Sequence, residues 1–290
     1  VPEGHTIHRL ARDHAAWFTG QTVTVSSPQG RFADGAARLD GRRFETAEAW
    51  GKHLFHRYEG ALTVHVHLGL FGKVRHQRLG VASEPTDTVR YRVVGSSDLI
   101  DLVGPTACEL LGPDEADAIV ARLGPDPIRT DSDPELAWAA LQRRTIDIGR
   151  ALMDQRVLAG VGNVYRAEVL FVHGLHPLVP ARAIEREQWD AIWSTLVSWM
   201  RRGVRERRII TVDPAELGIP RRELDRERST HVYRRDRCLR CDHPVHRFDL
   251  GGRWAYACER CQPPPGASGR ARARRSAAPA RARSAPGARA

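Results

Sequence analysis

The sequence predicts an α+β multidomain protein: an N-terminal helix on an antiparallel β domain, then a helical domain, then a small β-hairpin held by cysteines. Three observations lead there. Short runs of alternating polarity fill residues 22 to 104, and apolar residues recur at helical spacing between residues 134 and 202. Four cysteines then follow as C-x2-C-x16-C-x2-C.

The first helix is expected at Gly4 to Phe18, where Ile7, Leu10, Ala11 and Phe18 fall on one face. The strands follow as TVTVSS, RRFETAEAW, KHLFHRYE, LTVHVHL, TVRYRVVG and SDLIDLVG, a series that suits an antiparallel sandwich or barrel. After Gly124-Pro-Asp-Pro127, a linker by composition, the pattern turns helical in PELAWAALQRR, GRALMDQ, NVYRAEVLFVHG and AIEREQWDAIWSTLVSWMRR. Between the second and third of these lies Ala159-Gly160-Val161-Gly162, with Asn163 as the expected N-cap. Such a junction aims backbone N–H groups outward, where a phosphate can sit, although ordinary helical hairpins carry glycine turns too. Residues 203 to 232 read as polar and irregular, with one apolar spot at Ile209-Ile210.

Cys238, Cys241, Cys258 and Cys261 have the ligand set and spacing of a structural zinc site. Each C-x2-C pair can bend so that both thiolates reach one ion, and the 16 residues between the pairs suffice for two short strands and a turn. One structural Zn²⁺ is therefore expected. Arg234, Arg235, Arg237, Arg240, Arg247, Arg253 and Arg260 crowd the same stretch, which makes a phosphate backbone the expected partner. A zinc ribbon that only stabilises a small fold is the alternative.

Composition excludes several classes. A chain of 290 residues with 41% hydrophobic content can bury real cores, and no apolar run approaches the roughly 20 residues of a membrane helix. VPEGHTIHRL has no apolar segment of a secretory signal, so a cytoplasmic location is expected. The remaining cysteine, Cys108, suits a reducing compartment and a small core position. Of the net charge of +10, seven arginines lie in the acid-free stretch from Pro263 to Ala290, which reads as a disordered basic tail. All but two of the 45 basic residues are arginine, so the lysines Lys52 and Lys73 merit inspection.

Five motifs in order, PEGHTIHR, AWGKHLF, HLGLFG, MDQRVLAGVGNVYRAEVLF and the cysteine finger followed by Gln262, resemble the formamidopyrimidine-DNA glycosylase and endonuclease VIII family of base-excision repair enzymes. The resemblance covers residues 2 to 262, and PEG is similar to the endonuclease VIII branch. It implies an N-terminal catalytic β-sandwich over 2–122, a helix-two-turn-helix domain over 132–230 and a zinc finger over 231–262, with DNA in the cleft between the halves. Lys52 and Lys73 part company here: Lys52 matches the family lysine that contacts the phosphate beside the lesion, and Lys73 matches nothing.

The resemblance makes Pro2 the nucleophile and Glu3 the general acid/base. Pro2 is acylated by Val1 as written, and Val1 reads as the product of a GUG start that is trimmed to free a secondary amine. At a helix start the positive helix end would disfavour the ammonium and lower a pKa that begins near ~8. Without the other motifs, Pro-Glu would read as ordinary capping. The same helix end would lower the pKa of Glu3, so burial in the cleft must raise it again if Glu3 is to deliver a proton near neutrality.

Asn163 and Arg253 are implied as phosphate contacts, and Leu70 and Phe71 as the wedge that fills the space of an extruded nucleotide; a hairpin with two core side chains is the alternative. Thr6, Gly69 and Trp254 depart from the family pattern, which leaves the choice of base open. The expected activity is a glycosylase and abasic-site lyase on oxidised pyrimidines, by β,δ-elimination, with damaged double-stranded and abasic-site DNA as partners of a monomer. A silent damage-binding zinc-finger protein, or a lyase without glycosylase activity, are the alternatives.

Overall fold

The computed structural model describes residues 2–81 and 84–266. Val1 and the bulk of the arginine-rich tail, 267–290, lie outside the described residues. Helix α1 (Gly4–Phe18) leads into strand β1 (Thr24–Ser26), helix α2 (Ala33–Leu39) and strands β2 (Phe44–Trp50), β3 (His53–Tyr58), β4 (Leu62–His67) and β5 (Lys73–Arg78). Strands β6 (Val89–Val94), β7 (Asp98–Val103) and β8 (Ala107–Leu111) complete two four-stranded antiparallel sheets, ordered β1-β6-β7-β5 and β2-β3-β4-β8. This is a sandwich, not a closed barrel. Its core joins Leu54, Val64 and Val66 of one sheet to Tyr91, Val93, Ile100 and Leu102 of the other, and Ile7, Leu10 and Phe18 of α1 pack onto the same cluster.

Four of these elements have no counterpart in the sequence reading. Strand β5 (KVRHQR) is an edge with almost no apolar alternation, and β8 pairs on the far edge after the last glycine turn. Helices α2 and α3 (Pro113–Val120) are seven and eight residues long, too short for a clear period. Cys108 lies in β8 and packs against the core, and burial pushes its thiol up to about 12.

The helical region contains α4 (Pro134–Gln142), α5 (Ile148–Ala151), α6 (Asn163–Val172) and α7 (Arg186–Glu206). Local chemistry starts three of them. Asp133 and Asp147 accept hydrogen bonds from Glu135 N and Arg150 N, and Glu185 with Gln188 forms a capping box. Leu141, Leu152, Val169, Leu170, Trp189, Leu196 and Met200 make the core. The helix expected in GRALMDQ is only the four residues of α5.

Strands β9 (His246–Asp249) and β10 (Trp254–Ala257) form the C-terminal hairpin, packed through Tyr256 and Val232 onto Ala167 and Phe171 of α6. Residues 203 to 232 are less irregular than their composition suggests. Three short 3-10 turns surround a cluster of Ile210, Val212 and Leu224, with Leu217, Ile219 and Leu239 against it.

Candidate active site and nucleic-acid interface

The start of α1, the turn between β2 and β3 and the start of α6 meet backbone to backbone. Gly4 N donates to Gly160 O at 2.8 Å, and a Cβ on Gly4 would lie 2.8 Å from Gly160 Cα. A Cβ on Gly51 would lie 2.9 Å from Ala159 Cβ. Glycine is needed at this junction because three segments share the space of side chains. The contact carries Pro2, Glu3, Lys52 and Asn163 to one place.

Asn163 is not the N-cap of α6. That position is Gly162, which has no side chain to cap with. Glu3 does the capping from 159 residues away: its carboxylate accepts from Gly162 N at 3.0 Å, Val164 N at 2.7 Å and Tyr165 N at 3.4 Å. A Cβ on Gly162 would sit 2.4 Å from the carboxyl carbon of Glu3, so glycine is the residue that admits the acid. Glu3 is fully buried, and burial raises its pKa; Lys52 and the three N–H groups pull the other way. The helix end that acts on Glu3 is therefore that of α6, not its own. Burial also lowers the pKa of Lys52, while Glu3 raises it.

A cleft of about 720 Å³ opens above this junction, lined by Pro2, Lys52, Leu70, Phe71, Asn163 and Arg253 among others. Phe71 is 87% exposed and Leu70 50%, so neither is a core side chain. Gly69 has φ +63°, and a Cβ there would fall 1.9 Å from Thr106 Oγ1, which accounts for glycine in place of a polar residue. Lys73 is exposed on β5 and is not part of this lining.

Several residues of the site carry no signal strong enough to single out in the sequence. Asp126, inside the stretch read as a linker, accepts from Gly51 N at 2.7 Å and Ile128 N at 2.9 Å and pairs with His8 Nε2 at 2.6 Å, tying α1 to the turn of Lys52. Asn163 Nδ2 donates to Trp254 O at 3.0 Å, and its Oδ1 accepts from the buried Arg166. Arg166 also donates to Trp254 O at 2.8 Å, and burial lowers its pKa to about 10. The backbone of Trp254 thus fixes the neighbouring Arg253 to α6. Glu168, fully buried, accepts from the N–H groups of His231, Val232 and Tyr233 at 2.6, 2.9 and 2.9 Å and holds the entry to the hairpin.

The sulfur atoms of Cys238, Cys241, Cys258 and Cys261 all lie within 4.8 Å of one another, with Cys241 Sγ 3.6 Å from Cys258 Sγ and 3.5 Å from Cys261 Sγ. Four thiolates at Zn–S distances of ~2.3 Å on a tetrahedron stand ~3.8 Å apart, so the cluster fits a zinc ion.

The formamidopyrimidine-DNA glycosylase N-terminal domain matches residues 1–100, and the formamidopyrimidine-DNA glycosylase H2TH domain matches residues 123–213. Endonuclease 8 1 of Mycobacterium tuberculosis is 48% identical over 268 residues, which span 90% of this chain and 100% of that protein. The chain belongs to the formamidopyrimidine-DNA glycosylase and endonuclease 8 family. It is thus a member of a family of DNA repair glycosylases and abasic-site lyases. Probable endonuclease 8 2 of Streptomyces coelicolor is 33% identical, over 91% of this chain and 95% of its own. Formamidopyrimidine-DNA glycosylase of Stutzerimonas stutzeri is 28% identical, over 90% and 98%. The fold is that of the Lactococcus lactis enzyme Fpg in complex with DNA containing an abasic site, with a TM-score of 0.73 at 18% identity, over 90% of this chain and 99% of that one. Among the described residues, no helix of this family member is long and apolar enough to cross a membrane.

Proposed function

We propose that this family member is a bifunctional glycosylase and abasic-site lyase that excises oxidised pyrimidines from double-stranded DNA and opens abasic sites by β,δ-elimination. The observation that carries the reading is that Pro2 and Lys52 line one cleft with Asn163 and Arg253, and that Glu3, next to Pro2, is buried against the start of α6. Pro2 needs a free secondary amine, which requires removal of Val1. Its nitrogen attacks C1′ as the base leaves, and Glu3, its proton affinity raised by burial, protonates the opening sugar. The resulting imine acidifies the C2′ proton, whose loss expels the 3′ phosphate; conjugation through the new C2′=C3′ bond then acidifies the C4′ proton, whose loss expels the 5′ phosphate. Lys52, Asn163 and Arg253 hold the phosphates flanking the reacting sugar, and Leu70 with Phe71 occupies the space the nucleotide vacates.

Residues 2–122 carry the chemistry in this reading, 132–230 the helical grip on DNA, and 231–262 the finger. Zinc, bound by the four cysteines, is structural: four thiolates leave no open position for water or substrate.

Borohydride present during reaction with abasic-site DNA tests the amine. It should trap a covalent adduct at Pro2, and Pro2→Gly should slow trapping severely while DNA binding stays nearly intact. An adduct mapped to Lys52, or active enzyme that retains Val1, would overturn the assignment.

A further inference from the structure

Beside the catalytic cleft lies a second chamber of about 980 Å³, bordered by Thr6, Val164, Arg208, Thr230 and Tyr233. Arg234 lines both. We propose that Arg234 is a specificity-determining residue that contacts the carbonyl oxygens of the extruded base. The assignment rests on the glycosylase reading above and adds to it the group that reads the base.

Three observations converge on Arg234. First, its guanidinium is exposed and makes no hydrogen bond or ion pair among the described residues; its one neighbour of note is the Tyr233 ring, 5.5 Å from its Cζ. Arg235 and Arg237, by contrast, donate to backbone carbonyls and to Asp242. Second, its backbone has φ +55°, a left-handed conformation that L-residues rarely adopt and that glycine adopts freely. Third, the preceding residues are pinned by three backbone hydrogen bonds to the buried Glu168, so the side chain leaves from a fixed point.

Geometry selects the base over a phosphate. Lys52, Asn163 and Arg253 line the first cavity and not the second, whereas Arg234 lines both, so a nucleotide whose sugar meets Pro2 and whose phosphates meet those three residues would turn its base toward the second chamber. A guanidinium has five N–H donors in a planar fork and no acceptor. It therefore suits a ring edge bearing carbonyl oxygens and disfavours one that presents amino groups.

Arg234→Gly removes the guanidinium and relaxes the backbone, so the fold is not at risk from strain. Single-turnover excision of 5-hydroxyuracil from a duplex should slow about 10- to 100-fold, as for loss of a hydrogen bond to a charged group, while cleavage of a pre-formed abasic site stays within about twofold. The slope of log affinity against log salt should not change. Arg234→Asn, also compatible with this backbone region, should repeat the result. Equal losses on both substrates with a salt slope shallower by ~0.9 would mean a phosphate contact and overturn the assignment, as would no loss on either. Wild-type protein that opens abasic sites but excises no base would instead overturn the glycosylase reading, and this one with it.

Discussion

In the proposed mechanism Glu3 must be an anion and an acid at once. As an anion it caps α6 through three backbone N–H groups and faces the charge of Lys52; as an acid it must hold a proton near neutrality. Burial decides the balance, since complete exclusion from water outweighs the stabilising partners and the pKa is raised. The sign of a pH test follows. Activity that needs the protonated form persists below the folded-state pKa and falls as pH rises through it. Removing the cation at Lys52 takes away the largest influence that lowers this pKa, so in Lys52→Met the alkaline limb of single-turnover excision at saturating enzyme should move to higher pH. A lower rate with an unmoved limb would mean that the group titrating there is not Glu3.

At the scale of elements, α6 organises the site, because its N-terminus receives Glu3 and its first and second turns hold Trp254 O and the entry to the hairpin. Gly162→Ala should therefore hurt twice. The added methyl meets the side chain of a fully buried Glu3 at 2.4–2.6 Å, an overpacking expected to cost about 1–3 kcal/mol, and it must displace the carboxylate to be accommodated. Thermal unfolding should report the first effect and excision the second; a variant with unchanged melting would show that the junction yields more easily than its contacts suggest. The same helix marks the limit of what the sequence discloses. Its apolar period and the glycines before it are legible, as are the cysteine finger and six of the eight sandwich strands. Asn163 looks like a cap because asparagine favours that position, but the cap comes from Glu3, and tertiary contact over such a distance leaves no local trace. Strand β5 escapes for a related reason: an edge strand with a mostly exposed, charged sequence has no alternation to read. Asp126 and Glu168 sit in stretches whose composition suggests a linker and an ordinary helix, and only the fold shows that the first satisfies two backbone donors and the second three.

For the whole molecule, the cleft is shared by segments that belong to three separate cores. Pro2, Lys52, Leu70 and Phe71 come from the sandwich side, Asn163 from the helical core, and Arg253 from the finger. His8, Asp126 and Gly51 tie the sandwich to the segment leading into the helices. Leu70 and Phe71 differ from the rest of the lining because they stand largely exposed. A phenylalanine that is 87% exposed loses by standing in water, and in the proposed reading that loss is recovered where it replaces an extruded base in the stack. Leu70 and Phe71 should therefore matter for extrusion and not for elimination. With both changed to alanine, excision of a lesion paired in a duplex should fall by about 100-fold, the equivalent of a few kcal/mol of unstacking. Cleavage of an abasic site in single-stranded DNA, which has no stack to open, should stay close to wild type. Comparable losses on both substrates would mean that the loop supports the cleft itself, in conflict with its exposure.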